Sequence, residues 1–256
     1  MNHRFAYCLC PSYRKFTCLQ TAMWLFQNQT YPYKRMYILE DSGLVEHTRI
    51  GDIIVISTEK RFRNLPLKYQ YLIDILKPEL EPDDAIIVWD DDDIYLEDFI
   101  ERHMKVLEKF PVSAPSRSFI YYACALGYTG GFSGHGAIAF RAECLEKVPG
   151  WPITDIVEFD QLFVAELKKN FEFGDPCELG PPNFIYRWTL GVSGYHLSAL
   201  GSGNVYRKLD EVLGPKNGIA RKLKPVPDSA AIGLIEMAKV MIEEDRKAKE
   251  RQYLSD

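Results

Sequence analysis

Asp90-Asp91-Asp92-Asp93 follows directly on Ile86-Ile87-Val88-Trp89 and leads into Ile94-Tyr95. Four like charges within a few ångströms repel one another. That cost is met either by full solvation or by a hard divalent cation that takes the oxygens as ligands. The apolar, β-branched and aromatic run before the acids reads as a buried strand, which puts them at its carboxyl end. In open α/β sheets that end faces the crevice where ligands collect. The competing reading is a solvated acidic loop in which Asp93 caps a helix beginning near Leu96-Glu97-Asp98. A second acid pair, Glu40-Asp41, closes the apolar run Met36 to Leu39. If the two strands are neighbours, both acid groups face one crevice. A nucleotide suits such a place, one carboxylate taking a base or ribose hydrogen bond while another reaches a phosphate through a metal.

The elements that must hold these acids follow from periodicity. Phe5 to Cys10 is an apolar strand stopped by Pro11-Ser12, and Phe16 to Gln27 carries Cys18, Ala22, Leu25 and Phe26 near helical spacing. Tyr31-Pro32 ends that helix. Short strands are predicted at Met36 to Leu39, Ile53 to Ile56 and Ile86 to Trp89, with a helix over Leu67 to Leu76 closed by Lys77-Pro78. Strands alternating with helices at this spacing predict βαβ units and a mostly parallel sheet. Glycines from Gly127 to Gly136 precede the predicted strand Ala137 to Phe140. They match neither nucleotide-binding glycine fingerprint and read as a close turn around a ligand or as a surface loop. Asp155 to Leu167 predicts a helix with Glu158 and Asp160 in its first turns, where the dipole favours acids whatever the function. Ser229 to Leu254 predicts an amphipathic helix with Ile232, Ile235, Ala238, Met241 and Ile242 on its apolar side, covering the core or pairing with a second copy as a homo-oligomer.

With 256 residues and 46% hydrophobic content, the chain can bury a full core. A net charge of −5 gives no overall field for a nucleic-acid backbone, although Arg207, Lys208, Arg221, Lys222 and Lys224 form a basic segment. That segment reads as a solvated surface, or as a clasp for donor phosphates or a polyanionic acceptor. The six cysteines lack metal-type spacing, and Cys8 and Cys10 point to one strand face as reduced core residues. No apolar run approaches the roughly 18 to 20 residues that span a bilayer, so the expectation is a soluble, cytoplasmic protein without a transmembrane segment.

Cys10-Pro11-Ser12-Tyr13-Arg14, Asn28-Gln29-Thr30-Tyr31-Pro32, Met36 to Gly43 with its two acids, Leu67-Lys68-Tyr69-Gln70-Tyr71 and the aspartate run occur in that order. In this order and spacing they resemble the family 2 glycosyltransferases of the GT-A fold. The later match is looser: Gly136 to Arg141 resembles the acceptor-side strand, and Val157-Glu158-Phe159-Asp160-Gln161-Leu162 stands where the family has Glu-Asp-Trp-Asp-Leu.

The resemblance implies an α/β GT-A fold with a mostly parallel central sheet flanked by helices and a C-terminal helical extension. It divides the chain into a catalytic unit over 1–205, with a nucleotide-binding half at 1–100 and an acceptor-side half at 101–205, and an extension over 206–256. It implies Mn2+ or Mg2+ on Asp90 and Asp92, with His196 as a third ligand or else a buried hydrogen-bonded histidine. It places Pro11, Ser12, Tyr13, Arg14, Asp41, Lys68, Asp90 and Asp91 on a nucleotide-sugar donor, a UDP-sugar favoured, with Asp41 toward the base. Glu158 takes the position of the catalytic base, and Asp160 is its rival because Val157 and Glu158 depart from the family pattern. An inverting transfer needs such a carboxylate beside the acceptor hydroxyl. The acceptor is open among glycan, small molecule, protein and modified nucleic acid. Other function classes are a GT-A-like nucleotidyltransferase, a metal-dependent phosphoesterase or nuclease, and a non-catalytic sugar- or metal-binding module.

Overall fold

The computed structural model describes residues 4–130, 136–154, 156, 158–188 and 219–253. The chain begins β1 (Ala6–Ser12), α1 (Phe16–Gln27), β2 (Lys34–Glu40), and continues through a short hairpin, β3 (Thr48–Ile50) and β4 (Ile53–Ser57), to α2 (Leu65–Leu76) and β5 (Ala85–Val88). Then come β6 (Ile94–Tyr95), α3 (Phe99–Val106), β7 (Val112–Ser113), β8 (Arg117–Tyr122), β9 (Ala125–Gly130) and β10 (Ala139–Arg141). α4 (Phe159–Asn170), β11 (Phe173–Gly174), β12 (Phe184–Arg187) and α5 (Ser229–Tyr253) complete the described elements. The main sheet has the order β11-β7-β10-β5-β1-β2-β4-β3, and a second sheet the order β6-β12-β8-β9.

Strand alternation builds the layers. In β1, Ala6, Cys8 and Cys10 enter one apolar cluster, and Tyr7 and Leu9 the other. β2 splits the same way, Met36 and Ile38 against Tyr37 and Leu39, as a period of two requires. On the first face lie α1, α3 and α5; on the second lie α2 and α4, through residues such as Leu72, Ile73, Phe163 and Leu167. The Asn64 side chain accepts from Leu67 N at 3.2 Å and Pro66 occupies the first turn of α2, which starts that helix two residues before the predicted Leu67.

β1 pairs in parallel with both β2 and β5, so the chain order reverses at β1. The strands ending in Glu40 and in the aspartate run are therefore separated by β1 rather than directly paired. A crevice opens at such a reversal. Gln29 holds the next segment: its Nε2 donates to Leu96 O at 2.8 Å and its Oε1 accepts from Ile100 N at 3.0 Å, giving the Asn28-Gln29-Thr30 stretch a structural task at the start of α3.

Several expectations need correction. Asp93 does not cap a helix: β6 intervenes, α3 starts at Phe99, and Asp93 accepts from Arg187 N at 2.9 Å. The predicted helix over Asp155 to Leu167 starts at Phe159 and runs to Asn170, leaving Glu158 at its cap position. Part of the glycine segment is strand, since β9 pairs antiparallel with β8 through Gly127 and Gly130; residues 131–135 lie outside the described residues. On α5, Ala238 is buried and Ile235, Met241 and Ile242 pack against the core as predicted, joined by Ala231 and Leu234, while Ile232 is exposed; this face is used within the chain. Among the described residues no helix is long and apolar enough to cross a membrane.

His103 of α3 is fully buried against the Phe99 ring, 4.4 Å between centroids, and neither ring nitrogen has a hydrogen-bond partner. Burial lowers its pKa to about 3, with Asp175 opposing. The unfolded chain therefore takes a proton near pH 6.5 that the folded chain refuses, and stability falls as pH drops below that value by roughly 1.4 kcal/mol per unit from this group. From pH 7 to pH 5, wild type should lose about 2 kcal/mol more of its unfolding free energy in urea than His103→Leu does. Parallel losses in the two proteins would remove histidine protonation as the cause.

Candidate active site

The aspartate run turns out of β5 at the reversal point of the sheet, and aromatic rings fix its start. Trp89 stacks on Tyr95 at 3.9 Å between centroids; the Tyr95 hydroxyl accepts from Asp90 N at 2.7 Å and donates to Gly136 O at 3.0 Å. Tyr69, stacked on Trp151 at 4.1 Å, donates its hydroxyl to Asp90 Oδ1 at 2.8 Å. Asp90 is half-buried, whereas Asp91, Asp92 and Asp93 are buried, at 5%, 4% and 0% exposure.

Each buried acid has a distinct environment. Asp91 takes the Ser12 hydroxyl at 2.6 Å on one oxygen and the Lys15 ammonium at 3.3 Å on the other. Asp92 Oδ2 holds the same ammonium at 2.5 Å. Burial works against the Lys15 charge, but Asp91 and Asp92 outweigh it and keep the group protonated far above the usual lysine range. Asp93 Oδ1 accepts from Arg187 N, while Asp93 Oδ2 is buried without a hydrogen-bond partner. Burial, with Asp92 and Asp90 adding repulsion, pushes Asp93 well above the ordinary carboxylate range. Arg187, fully buried at the end of β12, also donates its Nε to Asp92 O.

Gly136 faces the run. A Cβ on it would stand 2.8 Å from Asp90 Oδ2 and 3.4 Å from Asp93 Oδ2, so the two oxygens converge on space that only glycine leaves open. The glycine segment read either as a close turn around a ligand or as a surface loop; the structure places its Gly136 beside these carboxylates.

Across β1 the second acid pair is turned inward. Glu40 accepts from Arg14 N at 2.9 Å and from the Ser42 hydroxyl at 2.8 Å. Arg14 sits at φ 57, a left-handed conformation unusual for a side-chain-bearing residue. Asp41 is fully buried, with its oxygens on Phe62 N at 2.8 Å and on the Lys68 ammonium at 2.5 Å. Burial pulls Lys68 below the usual lysine range, with Asp41 opposing; its ammonium also donates to Ser12 O at 2.8 Å. Tyr13 lies between Lys68 and Arg61, whose guanidinium is 4.3 Å from the ring centroid. Of the anticipated donor-side residues, Pro11 to Arg14, Asp41, Lys68, Asp90 and Asp91 are thus gathered around the end of β1.

The remaining candidate residues lie apart from this group or outside the described residues. Glu158 is exposed at the start of α4, while Asp160 is one of the charges, with Asp93, Asp92 and Asp90, that add to burial in raising the pKa of Tyr186. His196, Arg207 and Lys208 lie outside the described residues. Arg221 rests over the Phe16 ring at 4.4 Å and pairs its backbone with Leu44 and Glu46. Sequence reading missed Lys15 and Arg187 as members of the site; the signal for Arg187 was a lone cation ending the apolar strand Phe184–Arg187. A cavity of about 230 Å³ between α4 and β11, lined by Val164, Lys168 and Asp175 among others, contains none of the aspartate run.

No protein-family model matches the chain, and no curated protein matches it in sequence. Solved structures do. S. aureus TarS, residues 1–349, is similar with a TM-score of 0.56 at 10% identity over 72% of this chain and 60% of that one. The same fragment in complex with UDP gives 0.56 at 10% identity, covering 73% and 61%. The mannosyltransferase PcManGT from Pyrobaculum calidifontis, in complex with GDP-Man and Mn2+, gives 0.50 at 13% identity, covering 84% and 65%. The fold is of the GT-A glycosyltransferase type. This chain spans about three-fifths of the TarS fragment, and likeness at these identities speaks to fold.

Within that fold the carboxylates suit a hard dication: the donor set is oxygen, and Asp93 Oδ2 and Asp90 Oδ2 converge over Gly136. Among the described residues no group of three or more histidine, cysteine or acidic side chains is already shaped as a metal cage, and Asp92 is held by Lys15. The residues fit a metal on the condition that Lys15 gives way.

The Asp41–Lys68 pair supplies a stability test. Lys68→Met leaves the Asp41 charge buried without its cation, and should cost about 3–5 kcal/mol in urea unfolding. A loss below about 1 kcal/mol would mean that water reaches Asp41 and that the pair is not the support described.

Proposed function

We propose that the chain is a metal-dependent glycosyltransferase that moves a sugar from a nucleotide-diphospho-sugar, a UDP-sugar favoured, to an acceptor hydroxyl. The observation that carries this reading is the acidic run at the reversal point of a GT-A-type sheet, with a buried oxygen of Asp93 aimed beside Asp90 into the space left by Gly136. Complexes of the similar structures with UDP and with GDP-Man and Mn2+ support the same donor class.

In this reading Asp90 and Asp92 hold Mn2+ or Mg2+, with His196 as a third ligand. A bound dication would offset the negative charge that gathers on the departing diphosphate. Pro11, Ser12, Tyr13, Arg14, Asp41, Lys68 and Asp91 shape the donor side: the Asp41–Lys68 pair fixes the loop around the buried Tyr13 ring. A carboxylate near the acceptor takes the hydroxyl proton. Glu158 and Asp160 are the two candidates, and Asp160 is favoured because its charge, like those of Asp93, Asp92 and Asp90, bears on Tyr186. Transfer with inversion follows if that carboxylate lies on the sugar face opposite the diphosphate. Residues 1–205 form the catalytic unit and 206–256 its extension.

Nucleotide release from a panel of nucleotide sugars, with and without Mn2+, tests the reading. One donor should be hydrolysed slowly and only with metal, and Asp92→Asn should lower that rate by about 10²–10³-fold while the chain still melts cooperatively. Wild-type turnover in Asp92→Asn would remove the metal assignment.

For the base, Asp160→Asn should retain donor binding and lose transfer to an acceptor, with Glu158→Gln much less affected. The reverse pattern would return the role to Glu158.

A further inference from the structure

Lys15 is a feature of the acidic site that the transferase reading leaves without a task. Its ammonium stands 2.5 Å from Asp92 Oδ2 and 3.3 Å from Asp91 Oδ1, in the position where a cation shared by two carboxylates would stand. The carboxylates are almost fully buried, but the lysine side chain is 18% exposed and so has a route to solvent. Its backbone cannot follow. Arg14 N is tied to Glu40, and Lys15 O accepts from Leu19 N at 2.8 Å in the first turn of α1. The arrangement is a fixed anchor carrying a charge on a flexible four-carbon stem. Asp92 is also the carboxylate that the proposed function needs for a divalent ion. The two cations compete for one oxygen.

We propose that Lys15 is a tethered competitor of the divalent cation: its ammonium closes Asp91 and Asp92 to the metal until a nucleoside diphosphate draws it away, so that metal and nucleotide bind cooperatively. This rests on the transferase reading for the identity of the nucleotide, though the competition itself requires only the carboxylates. The phosphate oxygens are suitable acceptors for the displaced ammonium, and α1 begins at the next residue with no side-chain cap over its first amides. A stem of this length lets the charge exchange one anionic partner for another without moving the sheet. Linkage makes the effect reciprocal: whatever nucleotide contributes to metal affinity, metal contributes to nucleotide affinity.

The test is Mn2+ binding, followed by the electron-spin signal of free Mn2+, with and without UDP at fixed pH and ionic strength. In wild type, Mn2+ alone should bind weakly and UDP should tighten it. In Lys15→Met, Mn2+ alone should bind about tenfold tighter or more, and the gain from UDP should shrink by a similar factor; Lys15→Arg, which keeps the charge, should resemble wild type. Because Lys15→Met removes the ammonium that bridges Asp91 and Asp92, each variant is first checked by thermal melting, and Lys15→Gln takes the place of a variant that does not fold. A folded Lys15→Met or Lys15→Gln with wild-type affinity for Mn2+ overturns the proposal. A wild-type chain that binds Mn2+ with no response to UDP or any nucleotide sugar removes the transferase reading instead, and tighter Mn2+ binding by Lys15→Met in that same chain still upholds the competition.

Discussion

Burying consecutive carboxylates is the constraint around which this fold is arranged. Three of the four aspartates are nearly inaccessible to water, and each must be met by a donor from elsewhere in the chain. The donors come from separate elements: Ser12 from the end of β1, Lys15 from the entry to α1, Arg187 from the end of β12 and Tyr69 from α2. Their convergence ties the main sheet, the small sheet and the helices of both faces to one point. Asp93 Oδ2 is left without a donor, and a buried acceptor in that state is where a ligand has most to contribute.

The arrangement also separates two kinds of acid that look alike in sequence. Glu40 and Asp41 spend their oxygens on backbone amides, a serine hydroxyl and Lys68, so they set the shape of the loops beside Tyr13. The Asp90 to Asp93 group is tied by side-chain cations and leaves oxygen directed toward Gly136. The first pair makes a rigid wall; the second makes a place where charge can be exchanged.

Most of the main sheet was legible because its strands are buried on both faces and read as unbroken apolar runs. Phe16–Gln27 is the predicted helix to the residue, and the strands before the two acid groups stand where predicted within a residue or two. The small sheet was not legible. β6 has two residues, and β8 and β9 carry Tyr121, Tyr122 and Gly127 in a half-exposed hairpin turned by Ala123 and Cys124 at positive φ, with none of the glycine or asparagine that announces such a turn. The acids of the site were visible as a run, but their cations were not: Lys15 is adjacent to nothing acidic in sequence, and Arg187 lies 94 positions from the carboxylate it meets. Long-range charge pairing leaves no periodic trace. The choice between Glu158 and Asp160 was equally closed to spacing alone, because both sit where any helix accepts acids.

Asp228 joins the far end of the chain to all of this. Its backbone N–H donates to the Thr21 hydroxyl at 3.0 Å, its carboxylate accepts from Ala231 N at 2.7 Å at the head of α5, and its other oxygen lies 3.8 Å from the buried Arg187 guanidinium. Leu223, Ala231, Leu234 and Ala238 then fill the first-face core. The described part of the last segment thus packs on the same core as α1. Removing the segment from Leu223 to Ala238 would take a carboxylate from beside the Arg187 guanidinium and uncover apolar side chains beneath α1.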